Sequence, residues 1–464
     1  MGEHSAPGRR GMTGRLMIGT FLTCYFVVLC CLSANVPLER NFFPDEKGRL
    51  LLPMFLYEHG TLPTGYEESV RMSPWGFSYA NYPLLLSTVI GGMLMKIAGL
   101  MTTNTHWIVF AARLVSICSG TLFALFVIAA SRVLFPRPVS WLFPAVVVML
   151  PQIIFLSLYF NNDIVALCGS SMILYAWALA MRDRWNRNNV VLLSAGIVIV
   201  ALSYYNAYSW ILMSIIVYLA IWSKTAGSFG RVLRDQSFWR LSALAVVIVL
   251  ACIIPFFARA AVINHGDFLG LSTVRTMSER YARSEFKPSN RATPKNLGFS
   301  LPEMLVTHYY HGDGNNWLLS TFRSTIGVFG QMGVYLSSVV YLFYGCFWGI
   351  GLCSGLVGAV SLALRREYRN RVLIDGVMVA NIVIVVALAL QYSYATDYQA
   401  QGRYVLPAIL SLTYLVVSGW KFLLDTVVRN VTVRVVVVIG LCVAACAIAI
   451  YAFGIVYLPA SGVI

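Results

Sequence analysis

RLMIGTFLTCYFVVLCCLSANVPLERNFFPDEKGRLLLPMFLYEHG, residues 15–60, decides how the rest of the chain is read. Leu16 to Val36 is an apolar run preceded by Arg9, Arg10 and Arg15. A membrane-spanning helix needs roughly 20 mostly apolar residues, and this run supplies them. It is too long for a typical cleaved signal core and has no clear small-x-small site, so it reads as a retained first helix with a cytoplasmic N-terminus. Where the run ends, charge gathers at once: Pro44, Asp45, Glu46, Lys47, Gly48, Arg49.

The same alternation of long apolar runs and short charged loops continues to the C-terminus. Of 464 residues, 58% are hydrophobic and 11% charged, with a mean hydropathy of +0.73. Soluble domains carry about twice that charged fraction, so the excess apolar surface points to a bilayer as solvent. The expected fold is all-α, a polytopic bundle forming one membrane domain over residues 1–464. A first outer loop, 37–80, has a middle (Lys47–Tyr57) that reads as an interfacial helix. Further runs lie near 82–100, 107–131, 139–158, 162–181, 190–204, 207–222 and 241–262. A second polar stretch, 263–325, follows, then runs near 326–362, 372–392, 403–420 and 435–457.

The formal net charge of +15 does not point to nucleic acid, because the Lys and Arg residues collect in short inter-helix loops. That is the positive-inside pattern, with attraction to anionic lipid heads. SKTAGSFGRVLRDQSFWR, RREYRNR and Lys421–Arg434 are therefore cytoplasmic, which places 37–80, 263–325, YSYATDYQAQ and the C-terminus outside. Seven apolar runs then separate two outer loops, where an even number of crossings is required. Either SYYNAYSW (203–210) is not a true turn, or one run between Tyr82 and Tyr159 fails to span. About 11 spanning helices are expected. No strong inverted repeat of the secondary-transporter kind is visible. The ten cysteines lie within apolar runs, among them Cys30, Cys31, Cys442 and Cys446, without CxxC spacing, so no disulfide framework or metal site is suggested.

Chemistry must then come from the few charged loops. Asp45 directly follows the rigid Pro44 and suits a general base held at the membrane surface, with Glu46 as its partner or as a ligand; a solvated loop is the plainer alternative. Gln401-Gly402-Arg403-Tyr404 stands at the outer mouth of a helix, where a guanidinium suits planar recognition of phosphate and Tyr404 adds a hydroxyl. A snorkelling anchor is the alternative there. YSYATDYQ, with Asp397, resembles the wall of a polar pocket. Tyr159-Phe160-Asn161-Asn162-Asp163 places polar groups close to hydrocarbon, as substrate contacts or as a helix cap. Arg113, in or at the edge of a run, needs a partner. HYYHGDGNNW offers His308, His311 and Asp313 for contacts to a sugar or head group, with a metal site weakly suggested, and Arg323 just beyond is a further phosphate candidate. No Walker loop, dinucleotide fingerprint or HExxH is present in the sequence.

This order of motifs resembles the GT-C superfamily of membrane glycosyltransferases, nearest by pattern to the protein O-mannosyltransferase and aminoarabinose transferase type and to related bacterial membrane proteins. The likeness is carried by the Pro-Asp-Glu start of the first outer loop, LPTGYE, the YPLLL entry, AARLVS, the FNND junction and the late QGRYVLP. It implies a polyprenyl-phosphate-linked sugar as donor and a glycan, lipid or protein as acceptor. It also implies a bacterial plasma membrane with the site facing outside, and it leaves room for a divalent cation. By resemblance Asp45 takes the catalytic acid position with Glu46 beside it, and Arg403 the place near the donor phosphate; Lys47, Arg49 and Tyr404 follow by location. Loops 37–80 and 263–325 would cap the site. The second outer loop holds no large inserted domain, a departure from the protein O-mannosyltransferases that puts a protein acceptor in doubt. The implied reaction is inverting glycosyl transfer. Two other readings are a transporter or flippase of lipid-linked saccharides, which favours charges at mid-membrane, and an O-antigen ligase or polymerase type enzyme, which favours basic residues in one large late loop.

Overall fold

The computed structural model describes residues 7–307, 316–364 and 372–462. Helix α1 (Pro7–Ala34) leads into a long connection that carries α2 (Glu46–His59) and α3 (Leu86–Gly99). There follow α4 (Thr105–Leu134), α5 (Val139–Val148), α6 (Pro151–Leu156), α7 (Asp163–Asp183), α8 (Arg187–Ala201), α9 (Ser209–Ala226), a single turn α10 (Phe229–Val232) and α11 (Gln236–Ile263). The second outer segment holds α12 (Leu271–Tyr281), α13 (Leu301–Val306), α14 (Trp317–Ile326) and a two-stranded hairpin, β1 (Val328–Phe329) with β2 (Val334–Tyr335). The last long helices are α15 (Ser338–Leu364), α16 (Val372–Ala395), α17 (Ile409–Val427) and α18 (Val431–Tyr451), which runs on through a π-turn to α19 (Leu458–Ala460).

Contacts between helix ends fix the direction of each pass. The start of α1 meets the end of α4, with Gly14 near Arg132, while Arg113 near the start of α4 donates to Ser33 and Val36 carbonyls at the far end of α1. The two helices are therefore antiparallel, and α4 enters from the loop side. Because α3 lies between α1 and α4 without crossing, packing Gly92 on Leu56 and Gly99 on Tyr57 of α2, it belongs to the outer loop. The run between Tyr82 and Tyr159 that fails to span is thereby identified as 86–99.

Among the described residues nine helices are long and apolar enough to cross a membrane. Shorter apolar helices lie among them: α8, and α5, which α6 continues after a break at Leu150-Pro151 because proline cannot continue the ladder. SYYNAYSW is a true turn, with Tyr205–Ala207 as a single 3-10 turn. One end of the bundle gathers both outer segments, the 396–408 turn and the chain end, where Tyr457 donates to the Leu32 carbonyl. The second outer segment folds over the first: the Arg283 amide donates to Pro74, and Trp75 stacks edge-on with Phe286 and lies under Arg291.

Packing inside the bundle is closest where glycines allow backbone contact. Helices α15 and α17 cross at Gly351, Gly355 and Gly419, and a Cβ at Gly419 would overlap the Gly351 carbonyl. Gly419→Leu is expected to lower the apparent melting temperature in detergent strongly, overpacking costing about 1–3 kcal/mol or more. Gly440→Leu, where a Cβ meets nothing within 4 Å, should leave it nearly unchanged.

Candidate active site

Asp45 sits one residue before α2 with φ 59° and ψ −1°, the left-handed region that a non-glycine residue adopts at a cost. Pro44 before it and the helix after it hold that conformation. The preceding segment is anchored by Gln331 in the β-hairpin turn, whose amide donates to the Asn41 and Phe43 carbonyls. Asp45 does not cap its own helix. Its carboxylate turns away and meets Arg403 at 2.5 Å. Two charged groups from opposite ends of the sequence thus form one ion pair, with the aspartate about one-third exposed and the arginine largely buried. The Arg403 guanidinium holds the Asp45 carboxyl below the usual carboxylate range; burial opposes this and Arg49 adds to it.

Arg403 is delivered by a 3-10 turn, Gly402–Tyr404. The Gly402 amide donates to Ser324 Oγ at 2.6 Å, and a Cβ at Gly402 would overlap the Ser324–Thr325 backbone. Only glycine lets this turn close onto α14. Tyr404 stacks on Tyr392 of α16 with ring centroids 5.7 Å apart. Asp397, in the same connection, accepts from the Gln399 side chain, and burial pushes its carboxyl up.

Glu46 takes a different direction from Asp45. It is 2% exposed and accepts from Arg113 Nε at 2.9 Å, Arg113 Nη2 at 2.7 Å and the Phe160 amide at 2.9 Å. The expected acid pair is therefore split, because Glu46 is the first residue of a helix and points to the bundle interior. This also supplies the partner that Arg113 needs. Arg113 in addition lies over the Phe43 ring and donates to both Ser33 and Val36.

One helical turn beyond Asp45, Arg49 lies on the same face. It approaches Asp163 at 3.8 Å and covers the Tyr79 ring. Asp163 opens α7, is 4% exposed, and neither of its oxygens has a hydrogen-bond partner. Asn162 is the N-cap residue of that helix without a side-chain cap bond and borders a cavity, while the Asn161 side chain accepts from the Ile164 amide. Lys47 is placed elsewhere. Two residues past Asp45, it projects from the other side of α2 and reaches the Glu39 carbonyl at 3.5 Å. Arg323 also stands apart. It borders a separate groove between α14 and α15 and lies over Tyr335 and Tyr341. His308, His311 and Asp313 lie outside the described residues.

Beside the ion pair is a cavity of about 370 Å³, which Arg49, Asn162 and Tyr404 border together with Tyr79, Tyr204 and Tyr392. The tyrosines other than Tyr404 carry no motif of their own. The sequence signal for them is the crowding of Tyr at the ends of apolar runs, in FSYANYP, SYYNAYSW and QYSYATDY. Among the described residues no group of three His, Cys, Asp or Glu converges, so the donor set for a resident divalent cation, which takes about six oxygens, is not assembled here.

No family model matches the chain, and no curated protein matches it. Among solved structures it is similar to ArnT from Cupriavidus metallidurans in the apo state, with 15% identity and a TM-score of 0.49 over 96% of this chain and 75% of that one. The same protein bound to undecaprenyl phosphate gives 16% identity and a TM-score of 0.46, covering 97% and 74%. The Archaeoglobus fulgidus oligosaccharyltransferase tethered with an acceptor peptide gives 13% and 0.46, covering 92% of this chain and 55% of that chain. This chain thus spans about half the length of the oligosaccharyltransferase.

The sign of the Asp45 coupling gives a pH test. Its folded-state pKa is lowered, so its contribution to stability is present above the unfolded value of about 3.9 and disappears as pH falls through the lower folded value. Arg403→Gln should therefore lower the melting temperature most near neutrality, and the gap to the wild-type chain should close below about pH 4. Removing one partner of the interior pair is costlier. Arg113→Ala should destabilise by about 3–5 kcal/mol, read by thermal or denaturant unfolding.

Proposed function

We propose that the chain is a glycosyltransferase of the GT-C kind, moving a sugar from a polyprenyl-phosphate-linked donor to an acceptor hydroxyl with inversion at the anomeric carbon. The observation that carries this reading is the contact of Asp45 with Arg403, next to a cavity that their neighbours Arg49 and Tyr404 border. A carboxylate and a guanidinium in direct contact supply the two functions such a transfer needs. Donor phosphate on Arg403 exchanges for the aspartate, which frees the carboxylate next to the incoming hydroxyl.

In the transfer step the acceptor O–H gives its proton to an Asp45 oxygen while its oxygen bonds to the anomeric carbon. The bond from that carbon to the phosphate oxygen breaks, and polyprenyl phosphate leaves with the electron pair. Arg403 stabilises the charge that grows on the leaving phosphate; Arg49, one turn from Asp45, lies within range to assist. Glu46 is a positioning residue, which fixes the start of α2 through Arg113. Asn162, Asp163, Asp397 and Tyr404 supply polar contacts to the sugar. The described parts of 37–80 and 263–325 pack together at this end of the bundle and supply a cap for the site. A lipid donor accounts for the location, since its tail stays in hydrocarbon while its head reaches the end of the bundle.

The charge distribution supports a site on the non-cytoplasmic side. Arg137, Arg182, Arg184, Lys224, Arg231, Arg234, Lys421 and Arg429 belong to turns or helix ends at the opposite end of the bundle. Short basic loops stay on the cytoplasmic side, which leaves Asp45 and Arg403 outside.

Asp45→Asn should reduce transfer about 10²–10⁴-fold, the usual worth of a general base, with a fall in melting temperature no larger than that of Arg403→Gln. Transfer is read by mass spectrometry of products in proteoliposomes supplied with polyprenyl-phosphate sugars. Wild-type turnover in that variant would remove Asp45 from the reaction.

A further inference from the structure

The wall of the cavity has a chemistry that base catalysis and phosphate binding leave unused. Of its described lining residues only Arg49 is charged, and Asp163 stands 3.8 Å behind it. The neighbouring charges are matched in the same way, Arg403 by Asp45 and Arg113 by Glu46. The remainder of the wall is neutral, mostly aromatic with Leu52, Leu84 and Leu271 between. Tyr79, Tyr82, Tyr204 and Tyr392 alternate with the amides of Asn162 and Asn206.

Several of these neutral groups are poorly used by the protein itself. Ser203 Oγ, fully buried at the cavity wall, has no partner. The Asn206 amide reaches the Tyr204 hydroxyl and the Tyr404 carbonyl only at 3.4 Å each. The Asn162 amide reaches the Leu84 carbonyl at the same length. Buried hydroxyls and amides left short of partners cost free energy unless a ligand supplies them.

Ligand classes separate on these facts. A phosphorylated or acidic sugar would have to draw Arg49, the one charged lining residue, from Asp163 at 3.8 Å, in addition to the exchange that the donor phosphate makes at Arg403. An ammonium sugar would have to face Arg49 before it reached Asp163. An uncharged ring fits both parts of the wall: its C–H faces lie on tyrosine rings, and its hydroxyl edges meet amides and Ser203. At about 370 Å³ the space is near the small end of ligand pockets, of the size of a sugar rather than of a polymer.

We propose that this cavity is a subsite for an uncharged pyranose ring, so that the sugar handled next to Asp45 is a neutral hexose-type glycan and not an aminosugar, uronic acid or sugar phosphate. The inference rests on the glycosyl-transfer reading and narrows its substrate.

Saturation-transfer NMR on the full chain in detergent tests it, with the methyl glycosides of glucose, galactose and mannose against glucosamine, glucuronate and glucose 6-phosphate at pH 7. At least one neutral glycoside is expected to receive transfer several-fold above every charged sugar. Tyr204→Ala should reduce that signal about tenfold. Asn206→Asp, which replaces one amide by a carboxylate with little change in volume, should shift the preference toward glucosamine. Equal or stronger signals from a charged sugar, or neutral signals unaffected by both substitutions, would overturn the proposal. Native mass spectrometry with undecaprenyl phosphate keeps the two claims apart. Lipid binding that depends on Arg403 without any saccharide signal defeats the subsite alone; saccharide binding without lipid binding defeats the transfer reading.

Discussion

The buried pair of Glu46 and Arg113 is the constraint on which the site end of this bundle depends. Two charges at 2% and 1% exposure are tolerated only when every strong donor and acceptor is satisfied. Here Glu46 accepts three hydrogen bonds and Arg113 donates to Glu46, Ser33 and Val36. One network thereby ties the end of α1, the start of α2, the outer part of α4 and the turn before α7. Asp45, next to Glu46 in sequence, has no conformational choice left. Its left-handed backbone and its outward carboxylate follow from the inward glutamate.

The other half of the site is positioned by shape more than by charge. Arg403 arrives on a turn pressed against α14 so closely that Gly402 has no room for a side chain. Ser324 completes the contact by accepting the Gly402 amide. The first outer loop and the last outer turn are thus each clamped to the bundle independently, and the Asp45–Arg403 contact is made between two rigid supports.

Residues close in sequence part company for a simple geometric reason. Asp45, Glu46, Lys47 and Arg49 look like one charged cluster, yet they begin a helix, and a helix sends successive side chains about 100° apart. Glu46 goes inward to Arg113, Lys47 outward to Glu39, and Arg49 returns to the face of Asp45. Arg323 illustrates the same point on α14: its neighbour Ser324 touches the Gly402 turn, while Arg323 lies over Tyr335 and Tyr341 in another groove.

The sequence by itself determined that the chain is a helical membrane bundle, because runs of apolar residues near 20 long have few other stable states. The basic loops also required that one of the seven apolar runs between 37–80 and 263–325 fail to span, since each loop's charge depends on local composition alone. Asp45 and Arg403 were legible as candidates because a charge at the edge of hydrocarbon is expensive enough to need a reason. Their contact was not legible, nor was the partner of Arg113, nor the tyrosine-lined cavity. Those depend on which faces of distant helices pack together, and side-chain direction at an interface is fixed by the neighbours that fill the remaining space, which no local stretch of sequence specifies.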